Sequence, residues 1–386
     1  IRLMKAFELG NPLESFIWVF AAAWLAAFAV TSRRRLLIAL AITTCLAVWL
    51  GSRTVDSVAS NRDRVDADAS PTEIVADESL VMQLDGHTGP VKYVAIDGSG
   101  KRAASVSGWP EGDGSVRLWD LDSGKMLWVR HLGPERMMVV NFSSDGQKLI
   151  SGGSDGTICV WEAETARELT RFGATKNLEG LCVFADDKSC VAVGDEVQVW
   201  NLETGELIRE LKGAAGRQLD VCLSNDFSRV ASGGMDGRIH VWELESGDEI
   251  SHIDVSAMVE SLVFNEDDSR LFVAVNRSSS DPVLLSISVA DSDDRKALMG
   301  HQATVNWVRP SDDGRYLVTA SRDKTIRIWD VKTMSEIKRL EGHHDWVWSA
   351  VFTPDGQKIL SGGGGVSSEE PGSDLSLIHI SEPTRP

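Results

Sequence analysis

Residues able to carry nucleophilic chemistry recur together in this chain. Ser321, His301 and Asp323 form one group, and His87 with Asp113 forms a second, partial copy. A serine, a histidine and an aspartate meeting at one point can activate a hydroxyl for acyl transfer. The same trio can also satisfy only itself, because a buried hydroxyl, imidazole and carboxylate must each find a hydrogen-bond partner. Recurrence favours the second use, so no residue is assigned a catalytic role.

Other reactive patterns are missing. The eight histidines form no metal-ligand spacing, and His344 merely follows His343. There is no His-Glu-x-x-His, Cys-x-x-Cys-His or phosphate-loop pattern, and the glycines at 362–365 precede no Lys-Ser/Thr. No metal or cofactor is expected. Five cysteines in 386 residues cannot build a disulfide scaffold. Cys159, Cys182, Cys190 and Cys222 fall in strand-like runs and read as small core residues, with a Cys182–Cys190 bridge as the lesser reading.

The elements that must position these residues follow from composition and pattern. The chain is 42% hydrophobic and 25% charged, as a folded chain requires. With 39 basic and 57 acidic residues its net charge is −18, which disfavours nucleic acid as a partner. The charge is uneven. Residues 1–55 hold six basic and two acidic side chains, a net +4, leaving −22 for the rest.

The basic end is also the apolar end. Residues 16–30 read FIWVFAAAWLAAFAV and residues 36–50 read LLIALAITTCLAVWL, both without charge. With uncharged flanks they give spans at about 15–32 and 36–52, close to the ~20 residues that cross a hydrocarbon core. Neither has the polar face of a soluble helix. The expectation is an α-helical transmembrane hairpin over 1–52. Arg33, Arg34 and Arg35 place its loop on the cytoplasmic side and everything after it on the extracytoplasmic side. Residues 53–78 are polar, acidic and poor in large apolar side chains, which predicts a disordered linker.

From residue 79 the chain repeats. Alternating runs end in tryptophan: SVRLWD at Trp119, TICVWE at Trp161, EVQVWN at Trp200, RIHVWE at Trp242 and TIRIWD at Trp329. Their intervals are 42, 39, 42 and 87, and a degenerate copy near Ile287 divides the last. Each run has the period of a strand. Asp-Gly pairs at 145–146, 313–314 and 355–356 suggest two-residue hairpins. Gly-His pairs stand at 86–87, 300–301 and 342–343.

These residues resemble the WD-repeat family over residues 79–374. The resemblance implies an all-β, seven-bladed β-propeller with four strands per blade. It also implies that residues 80–84 close the ring by joining the last blade, leaving no exposed edge. That blade is expected to be truncated after two strands. Residues 375–385 read LSLIHISEPTR, which resembles the frame-read translation of a transposase library adapter. Residues 375–386 are therefore read as adapter-derived, with Asp374 matching Asp113.

In the family, such repeats carry a structural hydrogen-bond network. The matching residues are His301, Asp323, Trp329 and Thr319 or Ser321, with His87, Asp113 and Trp119 in the first copy. Family members recognise partners mostly on the face bearing the Gly-His loops. Alignment of the copies places Trp346, Trp348, Arg322, Met235, Arg136, Arg217, Met138 and Asn306 there. Arginine and tryptophan together favour an acidic peptide or protein. The resulting expectation is a membrane-tethered, non-enzymatic scaffold that recruits a protein, with no small-molecule substrate. Its rivals are a sensor module of a larger multidomain protein and an enzyme with a central-channel site. The enzyme would need carboxylates, histidines or metal ligands converging on the channel.

Overall fold

The computed structural model describes residues 80–108, 112–132, 137–276 and 284–364, and the backbone of 374–379. The proposed spans at 15–32 and 36–52, the Arg33 to Arg35 loop, the linker at 53–78 and Arg136 lie outside the described residues. Among the described residues no helix is long and apolar enough to cross a membrane.

Six four-stranded antiparallel sheets are each made of four consecutive strands. Their first strands are Val91–Ile96, Met137–Phe142, Gly180–Val183, Gln218–Leu223, Met258–Phe264 and Val305–Pro310. A further sheet is composite: Val347–Phe352, Lys358–Gly363, Asp374–His379 and, outermost, Leu80–Gln83. The first strands touch their neighbours in turn around the molecule, and Val347–Phe352 meets Val91–Ile96. The architecture is an all-β propeller, and its blades are numbered here in that order.

Composition explains which strand goes where. Second strands such as Arg102–Ser107, Lys148–Gly153 and Arg229–Gly234 are buried on both faces and rich in Ala, Ser and Gly. Small side chains let the next blade approach. A Cβ on Gly152 would lie 2.6 Å from Leu178 Cδ2 of blade 3, and one on Gly362 would lie 2.7 Å from Val91 Cγ1 of blade 1. Third strands carry the tryptophans, and Trp119, Trp242 and Trp329 are fully buried. Fourth strands such as Met126–His131 form the exposed rim.

Two expectations need correction. The Asp-Gly turns are not two-residue hairpins. Ser143 N–H donates to Lys148 O at 3.0 Å, enclosing four loop residues, and Gly146 N–H donates to Ser143 O at 2.9 Å. The Ser143 hydroxyl holds this wider turn by donating to Asp145 Oδ1 at 2.6 Å and accepting from Lys148 N–H at 2.8 Å. Ser311 and Thr353 do the same in their blades. Gly146 still takes φ +67°, so glycine is needed for the reason given but in a longer loop.

Nor does the last sheet stop at two strands. Asp374–His379 pairs with Lys358–Gly363 on one side and Leu80–Gln83 on the other. The ladder sets Ile378 opposite Ile359, as Trp119 is opposite Ala103 in blade 1. Asp374 thus stands at the register of Ser115, not of Asp113.

Candidate interaction site at the channel mouth

The histidine–aspartate groups form closed networks. In blade 6, His301 Nδ1 lies 2.8 Å from Asp323 Oδ2, and Nε2 lies 2.7 Å from Thr319 Oγ1. Trp329 Nε1–H donates to the same Thr319 oxygen at 2.9 Å. Ser321 is not in this chain of bonds. Its hydroxyl accepts from Asp323 N–H and donates to the Thr304 carbonyl, bracing the turn. In blade 1, His87 lies 3.2 Å from Asp113 Oδ2 and 2.7 Å from Ser105 Oγ, which accepts from Trp119 Nε1–H at 2.8 Å.

Burial pushes both imidazoles below their ordinary value, although the aspartates oppose it. For Asp113 and Asp323, burial alone would raise the carboxyl. Hydrogen bonds led by the histidines outweigh it and hold both well below the usual carboxylate range.

Sequence reasoning missed Ser105, Ser151 and Ser361, which take the place of Thr319. Ser151 accepts from Trp161 Nε1–H at 2.9 Å, and Ser361 lies 2.8 Å from His343 Nε2. The signal was present: each hydroxyl is the fourth residue of its second strand, as in RAAS, KLIS, YLVT and KILS. Blade 4 rearranges the set. His240 sits two residues before Trp242, where Arg117 and Arg327 precede their tryptophans, and bridges Asp236 at 2.8 Å and Glu249 at 2.7 Å.

All seven first-strand regions line a central channel. Lys92, Met138, Glu179, Asp220, Glu260, Asn306 and Trp348 border a cavity of about 70 Å³, with Tyr93, Leu219 and Trp307. Asp220 of blade 4 receives both terminal nitrogens of Arg309 from blade 6, at 3.1 and 3.2 Å, together with the Ser261 hydroxyl at 2.7 Å. Arg309 stacks 3.8 Å over the Trp307 ring, and Tyr93 meets that ring edge-on at 4.5 Å. Burial pushes the Tyr93 phenol up to about 12, against the opposing charge of Arg309.

The rim brings together part of the expected face. Trp346 and Trp348 meet edge-to-face at 5.6 Å, and the Arg322 guanidinium stacks over both rings, 4.9 Å from Trp346 and 5.7 Å from Trp348. Arg322 Nε–H also donates to Asn306 Oδ1 at 2.9 Å. Met235 is 54% exposed.

The rest of the face differs from expectation. Trp348 is only 4% exposed, Met138 4% and Asn306 7%, so these are channel-wall residues and not an open surface. Strand alternation should have turned Trp346 and Trp348 alike. A bulge between Val347 and Ser349 breaks that alternation, and Trp348 is buried while Trp346 is half-exposed. The arginines do not supply free positive charge either. Arg322 pairs with Glu260 at 3.1 Å, and Arg217 lies 3.3 Å from Glu179 and 3.8 Å from Asp195.

Three carboxylates therefore converge on the channel, but each has its own guanidinium: Glu179 with Arg217, Asp220 with Arg309 and Glu260 with Arg322. Burial raises the Glu179 carboxyl, with Lys92 and Arg217 working the other way. Among the described residues no group of three His, Cys, Asp or Glu could hold a metal. The four described cysteines are free thiols, and no Cys182–Cys190 bridge is formed.

Comparison with known proteins adds to this geometry. Residues 78–120, 129–162, 205–243, 292–330 and 334–366 match the family described as WD domain, G-beta repeat. The chain is similar to Protein groucho of Drosophila melanogaster, 25% identical over 265 residues, covering 66% of this chain and 35% of that protein. It is also similar to Transducin-like enhancer protein 2 of Mus musculus, 26% identical over 232 residues, covering 56% and 29%. The chain thus spans about a third of the length of the curated relatives it matches.

Proposed function

The chain belongs to the WD-repeat family, and on that premise we propose that it is a recruitment scaffold without catalysis of its own. Its recognition surface is the channel mouth. One observation carries this reading: Trp346 and Arg322 are half-exposed and stacked, and they lead into a channel lined by all seven first-strand regions. Tryptophan and arginine dominate the binding energy of protein interfaces. The composite sheet acts as the seventh blade, with Leu80–Gln83 closing the ring.

The test is affinity capture with the full chain, its Trp346→Ala variant and, as a control on the outer rim, Leu207→Ala. Trp346→Ala should lose partners that Leu207→Ala keeps. Identical partner sets in all three would contradict the reading.

The membrane belongs to the same proposal. The uncharged runs at 16–30 and 36–50 anchor the propeller through residues 53–78, with Arg33 to Arg35 cytoplasmic and the propeller on the other side. Reporter fusions at Ser32 and Ser52 test it, since only the Ser32 fusion should show cytoplasmic activity. A second reading, a regulatory module of a larger multidomain protein, is favoured by the one-third coverage of the two relatives.

A further inference from the structure

In blades 1 and 6 a permanent cation stands two residues before the tryptophan of the third strand. Arg327 of blade 6 reaches Glu336 of the fourth strand at 2.5 Å and Asp323 of the preceding turn at 3.9 Å. Arg117 of blade 1 reaches Asp113 at 3.1 Å. Blade 4 keeps both carboxylates and changes the cation. Asp236 and Glu249 hold the places of Asp323 and Glu336, and His240 holds the place of Arg327.

The hydrogen-bond inventory fixes the protonation of this cluster. His240 Nε2 lies 2.8 Å from Asp236 Oδ2, and Nδ1 lies 2.7 Å from Glu249 Oε1. A neutral imidazole has one N–H and can donate to one neighbour only. Its other nitrogen would set a lone pair against a carboxylate oxygen, with the ring only 3% exposed. Both contacts are satisfied when the cluster holds one more proton, which makes the ring an imidazolium. His87 and His301 differ, because one nitrogen of each faces a hydroxyl, of Ser105 or Thr319, that can donate as well as accept.

The surrounding elements supply no substitute charge. His252 of the fourth strand is 3.8 Å from Glu249 but 63% exposed. Ser232, opposite His240 on the second strand, is uncharged. Among the described residues, Arg238 on the same strand and Lys212 and Arg217 on the preceding loop form no ion pair with Asp236 or Glu249.

The loop at 212–217 rests on this cluster. Asp236 Oδ2 accepts from Ala215 N–H at 3.3 Å, and Gly213 lies against the Glu249 carboxylate with no room for a side chain. Trp242, stacked on the His240 ring at 5.6 Å, donates from Nε1 to the Lys212 carbonyl at 2.7 Å. The loop ends at Arg217, whose carbonyl accepts from Met235 N–H at 2.9 Å and whose guanidinium reaches Glu179 on the channel.

We propose that His240, Asp236 and Glu249 form a proton-operated latch on the channel mouth. With the proton bound, the imidazolium ties both carboxylates and the loop at 212–217 is held. When the proton leaves as pH rises, two carboxylates face each other without a cation. The Asp236 turn then shifts, and the loop is released together with Arg217 and Met235. The sense is opposite to that of His87 and His301, whose networks loosen as pH falls. Control of partner recognition by this latch rests on the channel mouth being the recognition face.

The test is hydrogen exchange of the full chain from about pH 6 to about pH 9, each rate divided by the intrinsic rate at that pH. Peptides covering 212–217 should lose protection as the proton leaves, at up to about tenfold per pH unit, the slope of one linked proton. Peptides covering 300–304, where Arg327 supplies the cation, should keep theirs. His240→Arg restores the permanent cation and should hold the loop at every pH. His240→Gln removes it and should leave the loop unprotected throughout.

Loop protection that ignores pH in the wild type would overturn the latch. So would a pH dependence that survives in His240→Arg or that 300–304 shares. If His240→Arg does not fold, nitrogen NMR spectra of the wild-type ring decide. One histidine, absent from His240→Gln, should carry both ring protons wherever the loop is protected, and a single ring proton there would overturn the proposal. The measurement needs no partner, so its failure is separate from failure of the face, which the Trp346→Ala comparison reads.

Discussion

Trp329 and Thr319 are joined across blade 6 by a hydrogen bond of 2.9 Å from the indole N–H to the threonine hydroxyl, inside a fully buried layer. That hydroxyl also lies 2.7 Å from His301 Nε2. Thr319, not Ser321, is the point where the outer tryptophan and the Gly-His loop meet.

Thr319→Val keeps the shape and removes the hydroxyl, leaving two buried ring nitrogens short of a partner. It should cost about 1–3 kcal/mol. Ser321→Ala affects only the turn and should cost less. Urea unfolding midpoints of the two variants check this, and equal losses would contradict the assignment.

The same networks make the propeller acid-sensitive. His87 and His301 are held below their ordinary 6.5 by burial, so the unfolded chain takes up protons first. Their contribution is present above about pH 6.5 and is lost as pH falls through the folded-state values. The depressed Asp113 and Asp323 add a further loss below their ordinary 3.8. The urea midpoint should fall between about pH 7.5 and about pH 5.5. The drop should shrink in His87→Gln/His301→Gln. A midpoint that rises toward pH 5.5 would contradict the burial argument.

Gly362 sits where Lys358–Gly363 of the composite sheet meets blade 1. A methyl there would be 2.7 Å from Val91 Cγ1 and 3.0 Å from the Val91 carbonyl oxygen. Neither a β-branched side chain nor the backbone can yield easily. Gly362→Ala should cost about 1–3 kcal/mol by overpacking, more than Gly173→Ala, where nothing lies within 4 Å and the backbone is not left-handed. Thermal melts compare them.

Arg309 and Asp220 tie blade 6 to blade 4 across the channel. Arg309→Met strands a buried carboxylate and should cost about 3–5 kcal/mol. Adding Asp220→Leu should recover much of that loss. A double variant no more stable than Arg309→Met would show that the pair does not act as a unit.

The sequence showed the fold more clearly than the site. Trp119, Trp161, Trp242 and Trp329 end strands whose alternation is local, so their type and spacing could be read directly. The hydroxyls of Ser105, Ser151 and Ser361 were harder to see, because serine in a strand is ordinary until its fixed place in the strand is noticed. The face was misread for two physical reasons. A bulge at the start of first strands changes which way Trp346 and Trp348 turn, and no residue type announces it. The charge of Arg322 is cancelled by Glu260, 62 positions away and in another blade, a pairing that only the packing of neighbouring blades creates.

The most direct test of the account is hydrogen exchange on the full chain, alone and with a partner captured by it. Amides around Met235, Arg322 and 344–349 should slow on binding, while the exposed rim at 207–210 exchanges as before. Protection confined to the rim, with no change around Trp346, would contradict recognition at the channel mouth.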